Sequence, residues 1–419
     1  MPNKKQLISE YGVVEYVRHP LAKIKGLPSI QTGELVKFGQ GDYGQVISFD
    51  SDFVNVMSFA QSPTKIGDTV TRIDKKLSVD AGPHLLGRVI DPLGQPQFGQ
   101  DIKKNEDNFR LIDQKPPPLS ERRPITNFLR TGTSIVDSIL PLAKGQRQII
   151  TGDRNTGKST FAKKLVKTQV NDGNIVIYAS ISKKMNAVKR IYSYFEKNNL
   201  LKNIVMVATY AQDPASLITL TPFTAMTIAE YFRDQGHDVV VILDDLSSHA
   251  RSYREIALLN RQFPGRDSYP GDIFYLHARI LERAGTIKNP QKGNKETISI
   301  SCLPIAETNN NDLTGYIISN LISITDGHIL FDTTLFQQGR RPAINPSLSV
   351  TRVGKQTQSP LQRDITRTLT TFLSKYEKAK AMTHFAAELS QESQNMIRRG
   401  SHLWAFFTET SDFIIPLEV

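Results

Sequence analysis

A glycine-rich segment in the first half of the sequence contains the residues best suited to chemistry. It reads GDRNTGKS, from Gly152 to Ser159, and has the spacing G-x-x-x-x-G-K-S. The two glycines allow the backbone to curl so that its N–H groups point at phosphate oxygens, and the start of the next helix adds partial positive charge. Lys158 is expected to reach the β- and γ-phosphates, and the Ser159 hydroxyl to bind Mg²⁺. The residues predicted to bind the nucleotide here are Gly152, Asp153, Arg154, Asn155, Thr156, Gly157, Lys158, Ser159 and Thr160.

A second segment supplies the acid that such a site requires. The apolar run from Val239 to Leu243 ends in Asp244 and Asp245. A carboxylate at the end of a strand beside a phosphate-binding loop holds the water shell of a bound Mg²⁺ ion. We therefore expect Asp244 to bind the metal through water, and Asp245 to cap the next helix or to form a local hydrogen bond. The two segments together predict a site for ATP or ADP with Mg²⁺.

The surrounding sequence provides elements that can position this site. An apolar strand at Ile149 and Ile150 precedes the loop, and a helix follows it. As far as about residue 358, apolar β-branched runs alternate with amphipathic stretches such as NAVKRIYSYFEKN, which predicts a parallel sheet covered by helices on both faces. The runs are NIVIYASI, NIVMVATY, DVVVILDD, TISISCLPI and HILFD.

The two ends of the chain show different patterns. From Tyr11 to Val79, short β runs separated by Gly and Asp predict a small closed sheet. The proline-rich stretch from Lys115 to Pro124 is predicted to be an irregular connection. After Pro360 the spacing of apolar residues predicts packed helices, with the segment 365–399 helical throughout. The β runs are GVVEYV, ELVKFG, GQVISFD, FVNVMSF and GDTVTRIDKKLSV.

Composition and charge narrow the class of protein. Hydrophobic residues make up 39% of the chain and charged residues 22%, as in ordinary globular proteins, and no apolar run approaches the length of a membrane span. The start MPNKKQLISEYG lacks the apolar core of a signal peptide, and a single cysteine, Cys302, excludes an intrachain disulfide framework, so we expect a cytoplasmic protein. The net charge of +11 suits a nucleic acid, an acidic partner or a membrane face, but no RNA-binding or zinc-finger motif favours nucleic acid.

Four segments carry a family resemblance. They are GDRNTGKS, LISITDG, RRPAINPSLSVTRVG and DDLSSHARSYREIALLNRQFPGRDSYPGDIFYLHARILERAG. The chain resembles, over nearly its whole length, the α subunit of the F-type ATP synthase. The resemblance implies an α/β fold class with a small N-terminal β-barrel at 1–80, a central RecA-like P-loop nucleotide-binding domain at 81–358 and a shortened C-terminal α-helical domain at 359–419. It also implies a ring of three α-like and three catalytic β-like chains around a central γ-type shaft, at the inner face of the cell membrane.

The resemblance implies roles for particular residues. Catalytic subunits of this family carry a Glu after the strand that follows the P-loop helix; α subunits carry Gln there, and this chain has Ser182. Because a serine hydroxyl cannot take a proton as a carboxylate does, we predict that the chain's own site binds nucleotide without hydrolysing it. Arg352 matches the family's arginine finger, which stabilises the transferring phosphoryl group in the neighbouring subunit, and Ser323 lies beside it in the family. Arg341 and Pro342 match a family contact with adenine.

The chain departs from the family pattern in three places. It enters its barrel without the usual N-terminal helical extension, and it ends at FIIPLEV, several helices early. Two glutamines that contact adenine in the family align with Glu409 and Ser411, which predicts weaker adenine selectivity. These departures suggest a paralogue like those of F-type-like ATPases that wall-less bacteria couple to other work, with the housekeeping subunit as the alternative.

A homohexameric RecA-like enzyme is a different class of protein that remains open. An RNA translocase or a secretion ATPase of this kind would need the catalytic Glu, and the translocase would need an RNA-reading OB-fold with stacking aromatic residues.

Overall fold

A computed structural model describes residues 10–98, 106–291, 295–383, 390–409 and 414. In that part of the chain, the first six strands close into an antiparallel barrel in the order β1-β2-β5-β4-β3-β6. Alternate side chains such as Val14, Ile24 and Val56 are buried inside it, because successive residues of a strand point to opposite faces. The strands are β1 (Tyr11–Arg18), β2 (Leu21–Gly26), β3 (Glu34–Phe38), β4 (Tyr43–Phe49), β5 (Val54–Ser58) and β6 (Thr69–Lys76).

The barrel confirms the predicted closed sheet and adds one strand to it. The predicted runs correspond to β1, β3, β4, β5 and β6, whereas β2 was not predicted. Strand β2 buries Ala22 and Ile24, but Lys23 and Lys25 alternate with them and Pro20 precedes the strand. Its sequence therefore looks like a polar turn unless the partner strands are known.

A mostly parallel sheet forms the centre of the molecule. Within the described residues its strand order is β19-β18-β12-β17-β15-β13-β14-β8, and β16 pairs with β17. Only the β16–β17 and β18–β19 pairs are antiparallel, so the predicted parallel sheet is confirmed. Two small ladders, β7–β9 and β10–β11, flank it. The strands are β7 (Ser78–Asp80), β8 (Val89–Ile90), β9 (Phe109–Leu111), β10 (Phe128–Leu129), β11 (Leu142–Ala143), β12 (Ile149–Gly152), β13 (Ile175–Lys183), β14 (Ile204–Tyr210), β15 (Val239–Asp244), β16 (Gly285–Lys288), β17 (Thr297–Glu307), β18 (Gly327–Phe331) and β19 (Val350–Thr351).

Helices cover both faces of this sheet. Val239, Val241 and Leu243 of β15 pack with residues of helices α4 to α7, whereas Val240 and Ile242 pack with α1, α2, α3, α9 and α10. No helix in the described ranges is long and apolar enough to cross a bilayer. The helices are α1 (Ser134–Ile139), α2 (Lys158–Asn171), α3 (Met185–Lys197), α4 (Ala215–Asp234), α5 (Leu246–Leu259), α6 (Ile273–Leu281), α7 (Tyr316–Ile324), α8 (Thr333–Gln337), α9 (Pro360–Thr383) and α10 (Gln391–Phe407).

Helices α9 and α10 confirm most of the helix predicted at 365–399 in the described residues, but Ser390 is not helical and instead caps the start of α10. Helices α9 and α10 pack closely, since a Cβ at Gly400 would lie 2.0 Å from the Cδ2 atom of Tyr376. Residues 384–389, which the sequence pattern also predicts to be helical, lie outside the described residues. The proline-rich stretch 115–124 is irregular apart from an isolated bridge between Arg122 and Ile287, which agrees with the prediction.

A buried ion pair fastens the end of α10 to the helix that follows the glycine-rich loop. The Lys164 ammonium donates to one carboxylate oxygen of Glu409, and the other oxygen accepts from the backbone N–H of Ser134, at 2.6 Å, and from its hydroxyl. The Lys164 and Glu409 side chains are only 5% and 4% exposed. The Glu409 N–H also donates to the Arg341 carbonyl, at 2.7 Å. The pair therefore joins segments that are far apart in sequence.

Removing one partner of this pair should destabilise the chain strongly. Lys164→Ala leaves the Glu409 carboxylate buried without its cation, and breaking a buried pair in this way costs about 3–5 kcal/mol. The double variant Lys164→Met/Glu409→Gln buries no charge and should recover most of that loss. The measurement is urea unfolding of the purified chain, with Lys375→Ala, an exposed lysine of α9, as control. If the double variant is no more stable than Lys164→Ala, the unpaired charge is not the cause of the loss.

Candidate functional site

The glycine-rich loop joins β12 to α2, and its two glycines have conformations that other residues rarely adopt. Gly152 has a φ of +146°, and a Cβ there would lie 2.3 Å from the Phe331 carbonyl oxygen of the neighbouring strand β18. Gly157 has a φ of +104° and precedes the first residue of α2. Glycine supplies such angles without a steric penalty. The spacing of the motif is therefore set by the close approach to β18 and by the start of the helix.

Lys158, the motif lysine, lies folded against this loop. Its ammonium donates to the carbonyl oxygens of Gly152, at 2.7 Å, and Asp153, at 2.5 Å. Burial lowers the pKa of Lys158, and the nearby carboxylates Glu307, Asp245 and Asp244 oppose that shift. The side chain is thus placed at the centre of the loop among negative groups.

Asp153 supports the loop from behind. Its carboxylate accepts hydrogen bonds from the Thr308 hydroxyl, at 2.7 Å, the Asn311 N–H, at 3.0 Å, and the Thr333 hydroxyl, at 2.8 Å. Burial raises the pKa of Asp153, but these donors outweigh burial and hold it below its usual value. Gly152 and Asp153 do not line the cavity in front of the loop, whereas Arg154 to Thr160 do. Asp153 therefore shapes the site rather than facing a ligand.

A cavity of about 1010 Å³ opens in front of the loop, which is ample for a nucleotide. Its lining also contains Arg341, Pro342 and Glu409, so the predicted adenine contacts share one cavity with the phosphate loop. The Arg341 guanidinium lies 3.6 Å from the centroid of the Phe336 ring, which builds a flat wall suited to a stacked ring. Ser411, the other position predicted to affect adenine selectivity, lies outside the described residues.

The acids at the end of β15 are held by one lysine. Lys183, the last residue of β13, forms ion pairs with Asp244, at 2.8 Å, and Asp245, at 3.2 Å. Asp244 also accepts from the Tyr178 hydroxyl, at 2.8 Å. Asp245 caps α5 by accepting from the Ser248 N–H, at 2.6 Å, as predicted. Burial lowers the pKa of Lys183, but the two carboxylates outweigh burial and raise it above its usual value.

Sequence reasoning missed Lys183, Tyr178 and Glu307. The Glu307 carboxylate lies at the end of β17 and accepts from the Arg154 guanidinium, at 2.9 Å. All three residues belong to buried parallel strands whose carboxyl ends lie side by side with that of β15, which ends in Asp244. The available signal for these residues was that they are polar and lie within or directly after apolar runs. Which strands lie side by side cannot be read from a single sequence.

Ser182, the position at which we expect a catalytic subunit to carry an acid, lies beside this cluster. Its N–H donates to the Thr209 hydroxyl, at 3.3 Å, and its φ is +54°. It lines a groove next to the nucleotide cavity. The metal ligands predicted from the sequence, Ser159 and Asp244, both line the cavity itself. Their oxygen atoms are the donors that Mg²⁺ prefers, so the residues present fit that ion.

Arg352 and Ser323 lie elsewhere. Both are exposed, and neither lines the chain's own nucleotide cavity. Arg352 follows β19, at the opposite edge of the sheet from β13 and β14, and its N–H donates to the Asp326 carbonyl, at 2.9 Å. The Asp326 carboxylate in turn binds the Arg147 guanidinium, at 2.7 Å. Ser323 lies in the last turn of α7, three residues before Asp326, so both predicted residues lie close in sequence or by hydrogen bond to Asp326.

Comparison with known proteins agrees with this arrangement. Residues 132–351 match the family described as the ATP synthase alpha/beta family, nucleotide-binding domain. The ATP synthase subunit alpha of Dictyoglomus turgidum is 39% identical over 412 residues, which are 98% of this chain and 80% of the relative. The subunit of the same name from Petrotoga mobilis is 39% identical over 401 residues, covering 94% and 79% of the two chains. That of Aquifex aeolicus is 38% identical over 413 residues, covering 98% and 81%.

The family match covers the glycine-rich loop, Asp244, Glu307 and strand β19, which precedes Arg352. The alignment with the first relative also covers the barrel and the C-terminal helices. The relatives named above are all alpha subunits. The chain therefore belongs to the ATP synthase alpha/beta family, on the side of its alpha subunits.

Proposed function

We propose that the chain is the non-catalytic, nucleotide-binding α-type subunit of an F-type or F-type-like rotary ATPase. The observation that carries the proposal is that the acids around the nucleotide cavity are all engaged in ion pairs. Among the described residues, the carboxylates that line it are Asp244, Asp245, Glu307 and Glu409. Each of them forms an ion pair with a lysine or arginine of the same chain.

This pairing opposes hydrolysis in the chain's own site. A general base must accept a proton from the attacking water, so its proton affinity has to suit that task. Here each of these carboxylates already contacts a lysine or arginine of the same chain, so an attacking water would have to compete with that cation for the carboxylate oxygens. Ser182 offers a hydroxyl instead of an acid at the position where catalytic subunits carry Glu. The cavity is therefore suited to binding a nucleotide and poorly suited to cleaving it.

The loop and the strand ends account for the binding itself. Backbone N–H groups of the loop and the start of α2 attract phosphate oxygens, and Lys158 adds a full charge. Ser159 and Asp244 would hold Mg²⁺, with water completing its shell, and the bound ion would neutralise phosphate charge. Lys183 keeps a positive charge at the same end of the cavity through its pair with Asp244. We therefore propose Mg·ATP or Mg·ADP as the ligand.

One observation favours a second candidate, an enzyme that hydrolyses ATP in its own site. Glu307 lies next to the loop, acts electrostatically on Lys158, and is 21% exposed, so water can reach its carboxylate. A homohexameric RecA-like translocase or secretion ATPase would need such an acid. The pair with Arg154 argues against this role, but a direct test is simple.

The isolated chain should bind Mg·ADP and Mg·ATP with negligible steady-state hydrolysis. Lys158→Ala should weaken binding in calorimetric titrations, because it removes the charge nearest the phosphates. Glu307→Gln keeps the shape of the side chain and should leave the residual hydrolysis rate unchanged. Robust turnover by the wild-type chain that Glu307→Gln abolishes would establish the second candidate instead.

The catalytic contribution in our proposal comes from the opposite edge of the sheet. Within the described residues the exposed Arg352 side chain forms no ion pair, and its backbone is anchored through Asp326. We propose that Arg352 is an arginine finger for the site of a neighbouring β-type subunit, with Ser323 beside it at the interface. A finger gains most when the charge it meets develops in the transition state.

The proposed assembly follows from this asymmetry. A ring of this chain alone would have fingers but no bases, so we propose that it alternates with catalytic β-type subunits around a γ-type shaft. The resulting complex would hydrolyse or synthesise ATP, as a peripheral assembly at the inner face of the cell membrane. The relatives' designation as subunits of ATP synthase supports this arrangement.

In the assembled complex, Arg352→Ala should lower kcat on the order of 10³-fold or more, while the ring still forms. Arg352→Lys keeps the charge but loses the planar fork, so it should recover little. Lys158→Ala affects only the non-catalytic site and should reduce turnover far less. Steady-state ATPase assays and native mass spectrometry measure both effects, with the exposed Lys355→Ala as matched control. Near-normal activity of Arg352→Ala together with loss of activity in Lys158→Ala would reverse the assignment.

A further inference from the structure

A second cavity, which we call the α3/α5 groove, opens beside the nucleotide cavity and has no role in the function proposed above. It occupies about 1270 Å³ between the start of α3 and the exposed side of α5. It shares Arg154, Lys183, Asp245 and Glu307 with the nucleotide cavity, so the two spaces lie side by side. A partner that occupied the groove would therefore lie next to bound nucleotide.

The groove carries an excess of positive charge. Its two shared acids are already paired with Lys183 and Arg154. Beyond those pairs, its charged lining consists of Lys184, Lys189, Arg190, Arg251, Arg254 and a single acid, Glu255. In the described part of the chain, none of these five basic side chains forms an ion pair, and Lys184, Lys189, Arg190 and Arg251 are exposed. Like charges held close together repel one another unless an anion compensates them.

Two of the arginines are held in place. Arg251 donates to the Ser248 hydroxyl, at 2.8 Å. The Arg254 guanidinium lies 4.7 Å from the centroid of the Tyr269 ring and donates to the Asp267 carbonyl, at 3.3 Å. Held guanidinium groups lose little freedom when they bind a carboxylate. Leu258, at the edge of the groove, is 48% exposed and offers an apolar contact that a free inorganic anion would not use.

The position of the groove indicates which molecule can reach it. Arg352 lies at the β19 edge of the sheet, whereas the groove adjoins the end of β13, towards the other edge. In a ring with head-to-tail contacts, each subunit presents one face to one neighbour and a different face to the other. If Arg352 faces one neighbour, the groove faces the opposite one.

We infer that the α3/α5 groove binds an acidic segment of the neighbouring ring subunit on the side opposite to Arg352. The inference rests on the ring of the proposed function and adds the chemistry that selects the neighbour. Carboxylates of that segment neutralise the unpaired cations, and an apolar residue covers Leu258. Complementary charge of this kind determines which partner binds and how fast it associates.

Charge reversal in the groove should disrupt assembly without affecting nucleotide binding. The test variant is Lys189→Glu/Arg190→Glu/Arg251→Glu, which changes exposed side chains only. The control, Lys375→Glu/Lys378→Glu/Arg399→Glu, makes the same change of charge on exposed positions of α9 and α10. Calorimetric titration of each isolated chain with Mg·ADP should give the wild-type affinity. Association with the co-purifying β-type subunit, followed by native mass spectrometry over a range of salt concentrations, should be at least about tenfold weaker for the test variant only.

A crosslinking experiment locates the bound segment. The single native cysteine, Cys302, is buried, so a benzophenone maleimide attached to Asn186→Cys, an exposed position in the groove, labels one site. In assembled rings, mass spectrometry should find the crosslink on an Asp- and Glu-rich peptide of the neighbour. A crosslinked peptide without acidic residues, or no crosslink to the neighbour, would overturn the inference.

Three further outcomes separate the alternatives. If tripolyphosphate binds the groove and assembly of the test variant is unchanged, the groove is a site for a small polyanion and the inference fails. If the wild-type chain forms rings and the test variant forms them equally well at all salt concentrations, the cations are only a solvated surface. If the wild-type chain forms no ring with its partner, the proposed function fails first, and the inference fails with it.

Discussion

The arrangement of side chains around the nucleotide cavity depends on compensating the negative charge of its buried carboxylates. A desolvated carboxylate is costly unless a cation or several hydrogen bonds accompany it. Lys183 compensates Asp244 and Asp245, Arg154 compensates Glu307, and Lys164 compensates Glu409. The same pairs that allow these acids to lie around the cavity also occupy their carboxylate oxygens. In the function that we propose, binding a nucleotide and lacking a base are therefore two consequences of one electrostatic arrangement.

The backbone of the sheet adds a second constraint, which separates the two proposed roles. Strand β12 lies between β17 and β18, so the loop, Glu307 and Phe331 meet at the carboxyl ends of parallel strands. Arg352 directly follows the antiparallel edge strand β19, which Gly327 approaches so closely that a Cβ would lie 2.2 Å from the Val350 carbonyl oxygen. The phosphate site and the proposed finger therefore cannot approach each other within one chain. A finger on that edge is useful only to a neighbouring subunit.

Local patterns were enough to predict the loop and the strands and helices from which the parallel sheet and the barrel are built, because these patterns involve residues close together in sequence. The electrostatics could not be predicted in the same way. Lys183 reaches Asp245 across 62 positions, and Lys164 reaches Glu409 across 245. Asp153 shows that a motif can also mislead. Its position in the motif predicted a nucleotide contact, but three hydrogen-bond donors that follow β17 and β18 hold its carboxylate behind the loop. Motifs identify the residues of a site, and packing decides which way they face.

Glu409, which lines the cavity, bears on the adenine contacts that the sequence predicts. In the family pattern a glutamine amide offers adenine both an acceptor for its amino group and a donor for its ring nitrogen. A glutamate alone would lose the donor. Here the Glu409 carboxylate stands beside the Lys164 ammonium, so the pair presents an acceptor and N–H donors side by side. We therefore expect recognition of the base to depend on the pair rather than on Glu409 alone. Because the same pair fastens the end of α10 to the P-loop helix, the arrangement of the C-terminal helices and the shape of the base site must change together.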